Sequence, residues 1–235
     1  MFNICKPKNF IDIGSYIGLY SFIVSSLETK IKIFAFEPSK INFKLLKKNL
    51  QKKCTIYNVG ISNKKGVGYL NNPKNYFAES LQTLSSIPSM KSLHNNKLKW
   101  GKRAAELCSL VKIDEILDRN TIINSYMKID AEGHEFEILR YLAKKNLIPK
   151  IISVELNNFY ILKRFMHPKK YLGIFFDKKL FNYYIVSKKK QILKKININK
   201  LETFFISYKI NSLKNLIANF IRIKPITFDL YIVKK

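Results

Sequence analysis

Short β-rich apolar runs alternate along this chain with stretches whose apolar residues recur at helical spacing. The run Asn9-Phe10-Ile11-Asp12-Ile13 ends in a glycine turn, and residues 17–24 then suit a buried helix. Residues 32–37 form a second strand, followed by Pro38-Ser39 and a Lys-rich helix carrying Phe43, Leu46 and Leu50, with Ser39 as its N-cap. A third strand at 55–61 closes at Ser62-Asn63-Lys64-Lys65-Gly66, with 67–70 returning as a hairpin arm. Residues 71–109 are polar, contain Pro73, Pro88 and Trp100, and are expected to form a lid or acceptor-binding insertion. Alternation resumes with a helix from Asp114, a strand at 126–130, a helix at 135–145 and a strand at 150–155. The tail supplies a strand at 183–186, a helical stretch from about 201 to 220 and a closing strand at 229–233. Strands alternating with helices predict a doubly wound α/β fold with a mostly parallel sheet, an antiparallel C-terminal strand and ligands at the carboxyl ends of the strands.

At 235 residues and 47% hydrophobic composition, one domain spanning 1–235 is expected. Lys+Arg is 43 against 16 Asp+Glu, a formal net charge of +27, which raises the prospect of an anionic partner. The cations argue otherwise. Only Arg103, Arg119, Arg140, Arg164 and Arg222 are arginines, the residue favoured for bidentate phosphate and base recognition, and lysine is abundant alongside isoleucine and asparagine, as an AT-rich coding bias produces on any solvated surface. Cys5, Cys54 and Cys108 show no zinc or disulfide spacing. No run is long enough to span a bilayer and the start lacks a signal-peptide core, so a cytoplasmic protein is expected.

Candidate chemistry begins at Asp12-Ile13-Gly14-Ser15-Tyr16-Ile17-Gly18. The first glycine permits a tight turn close to a ligand, the second lets the following helix pack on the sheet, and loop and helix amides are expected to face the ligand. A dinucleotide fingerprint would place glycine at position 16 to admit a pyrophosphate, but Tyr16 stands there, so the loop fits an adenosine ligand without one, such as S-adenosylmethionine. Glu37 ends the second strand, where a carboxylate can accept from both ribose hydroxyls.

Taken with Phe36-Glu37-Pro38, Asn58-Val59-Gly60-Ile61-Ser62 and the block Lys128-Ile129-Asp130-Ala131-Glu132-Gly133-His134-Glu135, the loop resembles the FkbM-type methyltransferase family, in order over roughly residues 9–156. The resemblance implies a Rossmann-like methyltransferase fold, S-adenosylmethionine as methyl donor, and O-methylation of a sugar, glycan or other metabolite. It also implies cofactor contacts from Asp12, Gly14, Ser15, Tyr16, Gly18, Glu37, Pro38 and Asp130, with Asn58 and Ser62 near the adenine. The family usually carries Asn where this chain has Tyr16, and a helical lead-in before the first strand, so part of the acceptor cover is expected to be absent here.

Asp130 ends a strand facing the cofactor loop, with Glu132, His134 and Glu135 following on the loop and first helical turn. Asp130 or His134 could take the acceptor's proton, and Asp130 with Glu132 and Glu155 could instead hold Mg²⁺ through oxygen ligands. Acids in a first helical turn are also favoured by the helix dipole alone, and a histidine at position 134 is more often on the surface. A nucleic-acid methyltransferase and a degenerate, non-catalytic homologue are the alternatives. The former draws on +27 and on thirteen Tyr and seventeen Phe able to stack bases, but lacks the Pro-Pro-Tyr/Phe and Pro-Cys blocks of base methylation.

Overall fold

The computed structural model describes residues 5–50, 54–72, 104–131, 133–157, 173–187, 192–197 and 227–235. Its centre is strand β1 (Asn9–Ile13), every residue of which is buried, as a central parallel strand requires. Even its polar side chains are accommodated: Asn9 donates to the Thr121 carbonyl at 3.0 Å, and Asp12 accepts from Ser21 Oγ at 2.7 Å. Helix α1 (Leu19–Leu27) follows, then β2 (Lys32–Phe36), α2 (Lys40–Leu50) and β3 (Thr55–Tyr57). After β4 (Gly60–Ile61), β5 (Gly66–Asn72) and β6 (Ala104–Val111) come α3 (Arg119–Ile123), β7 (Ser125–Ile129), α4 (Glu135–Lys144) and β8 (Ile151–Asn157). Strands β9 (Phe181–Ser187), β10 (Ile192–Ile196) and β11 (Thr227–Lys234) complete the described chain.

The main sheet has eight strands in the order β10-β9-β11-β8-β7-β1-β2-β3. Strands β3, β2, β1, β7 and β8 are mutually parallel, while β11 runs antiparallel to both β8 and β9 and β10 runs antiparallel to β9. The fold is the expected doubly wound α/β type, with three strands on the antiparallel side. Strand order reverses between β1 and β7, which opens a crevice at their carboxyl ends.

Alternation divides the core between the two faces. Ile11, Ile13, Met127, Ile129, Ile152 and Val154 pack with Ile138, Leu139 and Leu142 of α4, while Phe10 and Ile33 meet Val24 of α1 and Ala35 meets Leu46 and Leu50 of α2. Each large side chain removed from water contributes about 1.5–3 kcal/mol. Among the described residues no helix is long and apolar enough to cross a membrane.

Three local expectations change. The 55–61 run is two strands, because the chain leaves the main sheet after Tyr57 and β4 joins a separate sheet of order β4-β6-β5. Strand β5 pairs with β6 and not with the preceding strand, from Gly66↔Leu110 to Asn72↔Ala104. The helix from Asp114 is only a 3-10 turn at Ile113–Glu115, and α3 starts later, at an Asp118 side chain that accepts from Thr121 N at 2.9 Å. The ends of the 71–109 stretch lie in β5 and β6; its residues 73–103, and the helix expected at 201–220, lie outside the described residues.

Candidate active-site crevice

The loop after β1 is held by its own amides. Gly14 N and Ser15 N both donate to the Phe36 carbonyl at 3.0 Å, Tyr16 N donates to Glu37 Oε2 at 2.8 Å, and Gly18 N donates to the Ser15 carbonyl at 2.8 Å. Ser15 Oγ adds bonds to the Asp12 carbonyl at 2.7 Å and the Phe36 carbonyl at 3.3 Å. The first three amides therefore brace the loop against the end of β2 and the fourth closes the loop on itself, so these loop amides are not presented to a ligand, contrary to the expectation from the glycine pattern.

Both glycines are required by geometry. Gly14 has φ +77°, and a Cβ there would lie 1.8 Å from the Asp130 carbonyl oxygen, so only glycine lets the loop close on the end of β7. Gly18, at φ +89°, would place a Cβ 2.7 Å from Leu46 Cδ1. Its role is close packing of the α1 start on α2, not on the sheet. Tyr16 also adopts a left-handed backbone, φ +52°, which asparagine tolerates better than tyrosine.

Asp12 sits beneath this loop, fully buried. Its Oδ2 is bound by Ser21, whereas its Oδ1 is, among the described residues, the buried side-chain oxygen with no hydrogen-bond partner. Burial holds the Asp12 carboxyl above its ordinary range, opposed by Lys128 and by the Ser21 bond. Lys128 is the residue that the sequence reading passed over. It is the β7 register partner of Asp12, is 7% exposed, and places Nζ 3.0 Å from Asp130 Oδ2 and 4.6 Å from the centre of the Tyr20 ring. Burial pulls the ammonium down, but Asp12 and Asp130 outweigh it and hold it above the ordinary lysine value. The only available signal was a charged residue at an inward position of a central strand.

Glu37 lies at the end of β2, 5% exposed, with Oε1 accepting from Ser39 N at 2.9 Å and from Asn42 Nδ2 at 3.4 Å. Burial pushes its carboxyl up to about 7 against those bonds and that of Tyr16. Asn58 Nδ2 donates to the carbonyls of Glu37 at 2.8 Å and Pro38 at 3.2 Å, so Asn58 fixes the turn that carries the acid.

On the far side, Ser62 Oγ lies 3.0 Å from His134 Nε2, with Ser62 1% and His134 8% exposed. His134 is thus buried at the start of α4 and not a surface histidine. Glu135 accepts from Ala131 N at 3.0 Å and from Gly133 N at 2.9 Å, closing the turn between β7 and α4, and burial pushes its carboxyl up to about 7. Glu132 lies outside the described residues. Among the described residues, which do not include Glu132, no group of three His, Cys, Asp or Glu side chains comes together to hold a metal ion.

The crevice is therefore a buried acid with one unpartnered oxygen under a glycine loop, a second acid at the end of β2, and a lysine-paired Asp130 across the switch point. The family model described as the methyltransferase FkbM domain matches residues 12–179, which carry all of these groups. The chain belongs to the FkbM methyltransferase family. A curated relative, methyltransferase sdnD of Sordaria araneosa, is 27% identical over 161 residues, and the alignment covers 57% of this chain and 61% of that protein. Among solved structures, a putative rRNA-methylase from Clostridium thermocellum aligns with 97% of this chain and 89% of its own, at 11% identity and a TM-score of 0.47. A precorrin-6y C5,15-methyltransferase from Geobacter metallireducens aligns with 97% and 81%, at 11% identity and a TM-score of 0.40.

Proposed function

We propose that this FkbM chain transfers a methyl group from S-adenosylmethionine to a hydroxyl of a sugar, glycan or other metabolite, acting as a single catalytic domain. The observation that carries the reading is the family match over 12–179, which spans every group of the crevice. Two features fit the cofactor. The unpartnered Asp12 Oδ1 is an acceptor for a cationic or hydroxyl donor, and Glu37 is a carboxylate at the strand end where ribose hydroxyls are bound. The cofactor supplies an electrophilic methyl group on a sulfonium.

In this reading Asp12 and Glu37 hold the cofactor, with Gly14, Ser15, Tyr16, Gly18, Pro38, Asn58 and Ser62 shaping its walls. Asp130, anchored at Oδ2 by Lys128, offers its other oxygen to the acceptor hydroxyl and so aligns it for in-line attack. His134 stands by as the group able to accept the hydroxyl proton. Glu135 organises the turn that presents both. The test is methyl transfer from labelled S-adenosylmethionine to a glycan and metabolite extract, beside calorimetry of cofactor binding. Asp130→Asn is expected to bind cofactor normally and lose at least about tenfold in turnover, roughly 1.4 kcal/mol. No binding heat at millimolar cofactor would refute the function, and unchanged turnover would refute the role of Asp130.

A further inference from the structure

Glu106 links the second sheet to the crevice by hydrogen bonds. It lies on β6, half-buried, and Lys40 N donates to its Oε1 at 2.7 Å while Ser39 Oγ donates to its Oε2 at 3.0 Å. Both donors belong to the start of α2. Ser39 is placed as an ordinary N-cap, yet its Oγ lies 3.4 Å from Asn42 N, at the long limit of a hydrogen bond. The capping acceptor for the first helical amide comes instead from a residue 66 positions away.

From Ser39 the bonds continue into the crevice. Ser39 N donates to Glu37 Oε1 at 2.9 Å, and Tyr16 N donates to Glu37 Oε2 at 2.8 Å. Glu106, Ser39, Glu37 and Tyr16 are thus joined in one line from β6 to the glycine loop. We propose that Glu106 is a positioning residue for the cofactor: a helix cap delivered by the second sheet that, through Ser39, fixes the direction in which Glu37 presents its carboxylate. The inference rests on the reading of Glu37 as a cofactor-binding acid. It assigns β4, β5 and β6 a part in cofactor affinity, although none of them contributes a strand to the main sheet.

Two measurements test it. In ligand-free protein, Glu106→Ala is expected to speed hydrogen exchange at the Tyr16 amide about tenfold while leaving the Met127 amide in β7 unchanged. A cap that mattered only to α2 would not reach Tyr16, which Glu106 does not bond. In cofactor titrations by calorimetry, Glu106→Ala and Ser39→Ala are each expected to weaken binding of S-adenosylmethionine about tenfold, and the double variant no further, because both cut the same line. Glu106→Gln, which keeps one acceptor, should fall between. Unaltered Tyr16 exchange, or additive losses in the double variant, would overturn the proposal. Cofactor affinity of the parent chain tests the function and ligand-free exchange tests the link, so the two failures are distinguishable.

Discussion

Replacing Glu37 with glutamine should have opposite effects on stability at low and high pH. The carboxyl is pushed up to about 7 in the folded chain from an ordinary 4.5, burial being the main cause. Between those values the folded state keeps a proton that the unfolded state has released, so stability falls as pH rises from about 4.5 through 7, and the deficit is complete above 7. A shift of that size amounts to about 3 kcal/mol. Glutamine carries no titrating proton, so the stability of Glu37→Gln relative to the parent should rise by about 3 kcal/mol between pH 4 and pH 8. Against this, the amide nitrogen of glutamine cannot accept from either Ser39 N or Tyr16 N, a loss of about 1–2 kcal/mol that is independent of pH. The variant should therefore be less stable than the parent at pH 4 and more stable at pH 8, while losing cofactor affinity throughout. Urea denaturation at half-unit pH steps, followed by circular dichroism, measures the crossing. Two curves that stay parallel across the range would show that Glu37 titrates near its ordinary value, and the argument from burial would fail.

Glu135→Gln should show the same upward trend with pH, since burial raises Glu135 to about 7 as well, and a double variant with Glu37→Gln should have the flatter pH profile of the set. Gly14→Ala should destabilise by at least about 2 kcal/mol, because its Cβ would meet a backbone carbonyl that cannot rotate away, whereas Gly18→Ala meets leucine side chains that can shift and should cost less; thermal melts that rank them in reverse would refute the distinction. Tyr16→Asn should stabilise by up to about 1 kcal/mol by relieving a left-handed backbone, since the tyrosine is 39% exposed and little burial is lost; a lower melting temperature would refute it. Lys128→Met should cost about 3 kcal/mol by leaving Asp12 without its buried counter-charge, and Asp12→Asn in that background should recover part of the loss in denaturant titrations.

The sequence showed most of the parallel half of the sheet because each strand there is a short apolar run that ends at a recognisable chemical signal. Strand β1 stops at its glycine loop, β2 at Glu37-Pro38 and β7 at Asp130. What it hid depends on long-range pairing. Nothing local distinguishes Gly60-Ile61 from a continuation of β3, because the break is decided by β6, whose Leu110 and Val111 pair with those two residues from 50 positions away. The site divides in the same way. Asp12, Gly14, Glu37 and Asp130 stand in motifs, so their positions could be read directly. Lys128 stands in the same block, but its meaning comes from register with Asp12 across the sheet, which no local pattern carries. Glu106 carried no signal at all, because its partners at Ser39 and Lys40 are set by tertiary structure.

The hydrogen bonds of the glycine loop exclude a pyrophosphate ligand on a ground stronger than the bulk of Tyr16 and independent of that ring. A pyrophosphate is bound by backbone amides that the loop leaves open. Here the amides of Gly14 and Ser15 converge on the Phe36 carbonyl, Tyr16 N is held by Glu37, and Gly18 N closes on Ser15. Reopening them would unpair buried donors at about 1–3 kcal/mol each, so a dianionic phosphate would have to break the loop to enter. The acids at Asp12 and Glu37 repel such a ligand further. A ligand whose cationic and hydroxyl groups donate to carboxylates is attracted by these acids, and Asp12 Oδ1 is the buried acceptor such a donor would satisfy. Tyr16→Gly therefore should not confer binding of NAD to this chain, and a measurable NAD affinity in that variant would return the exclusion to the tyrosine ring.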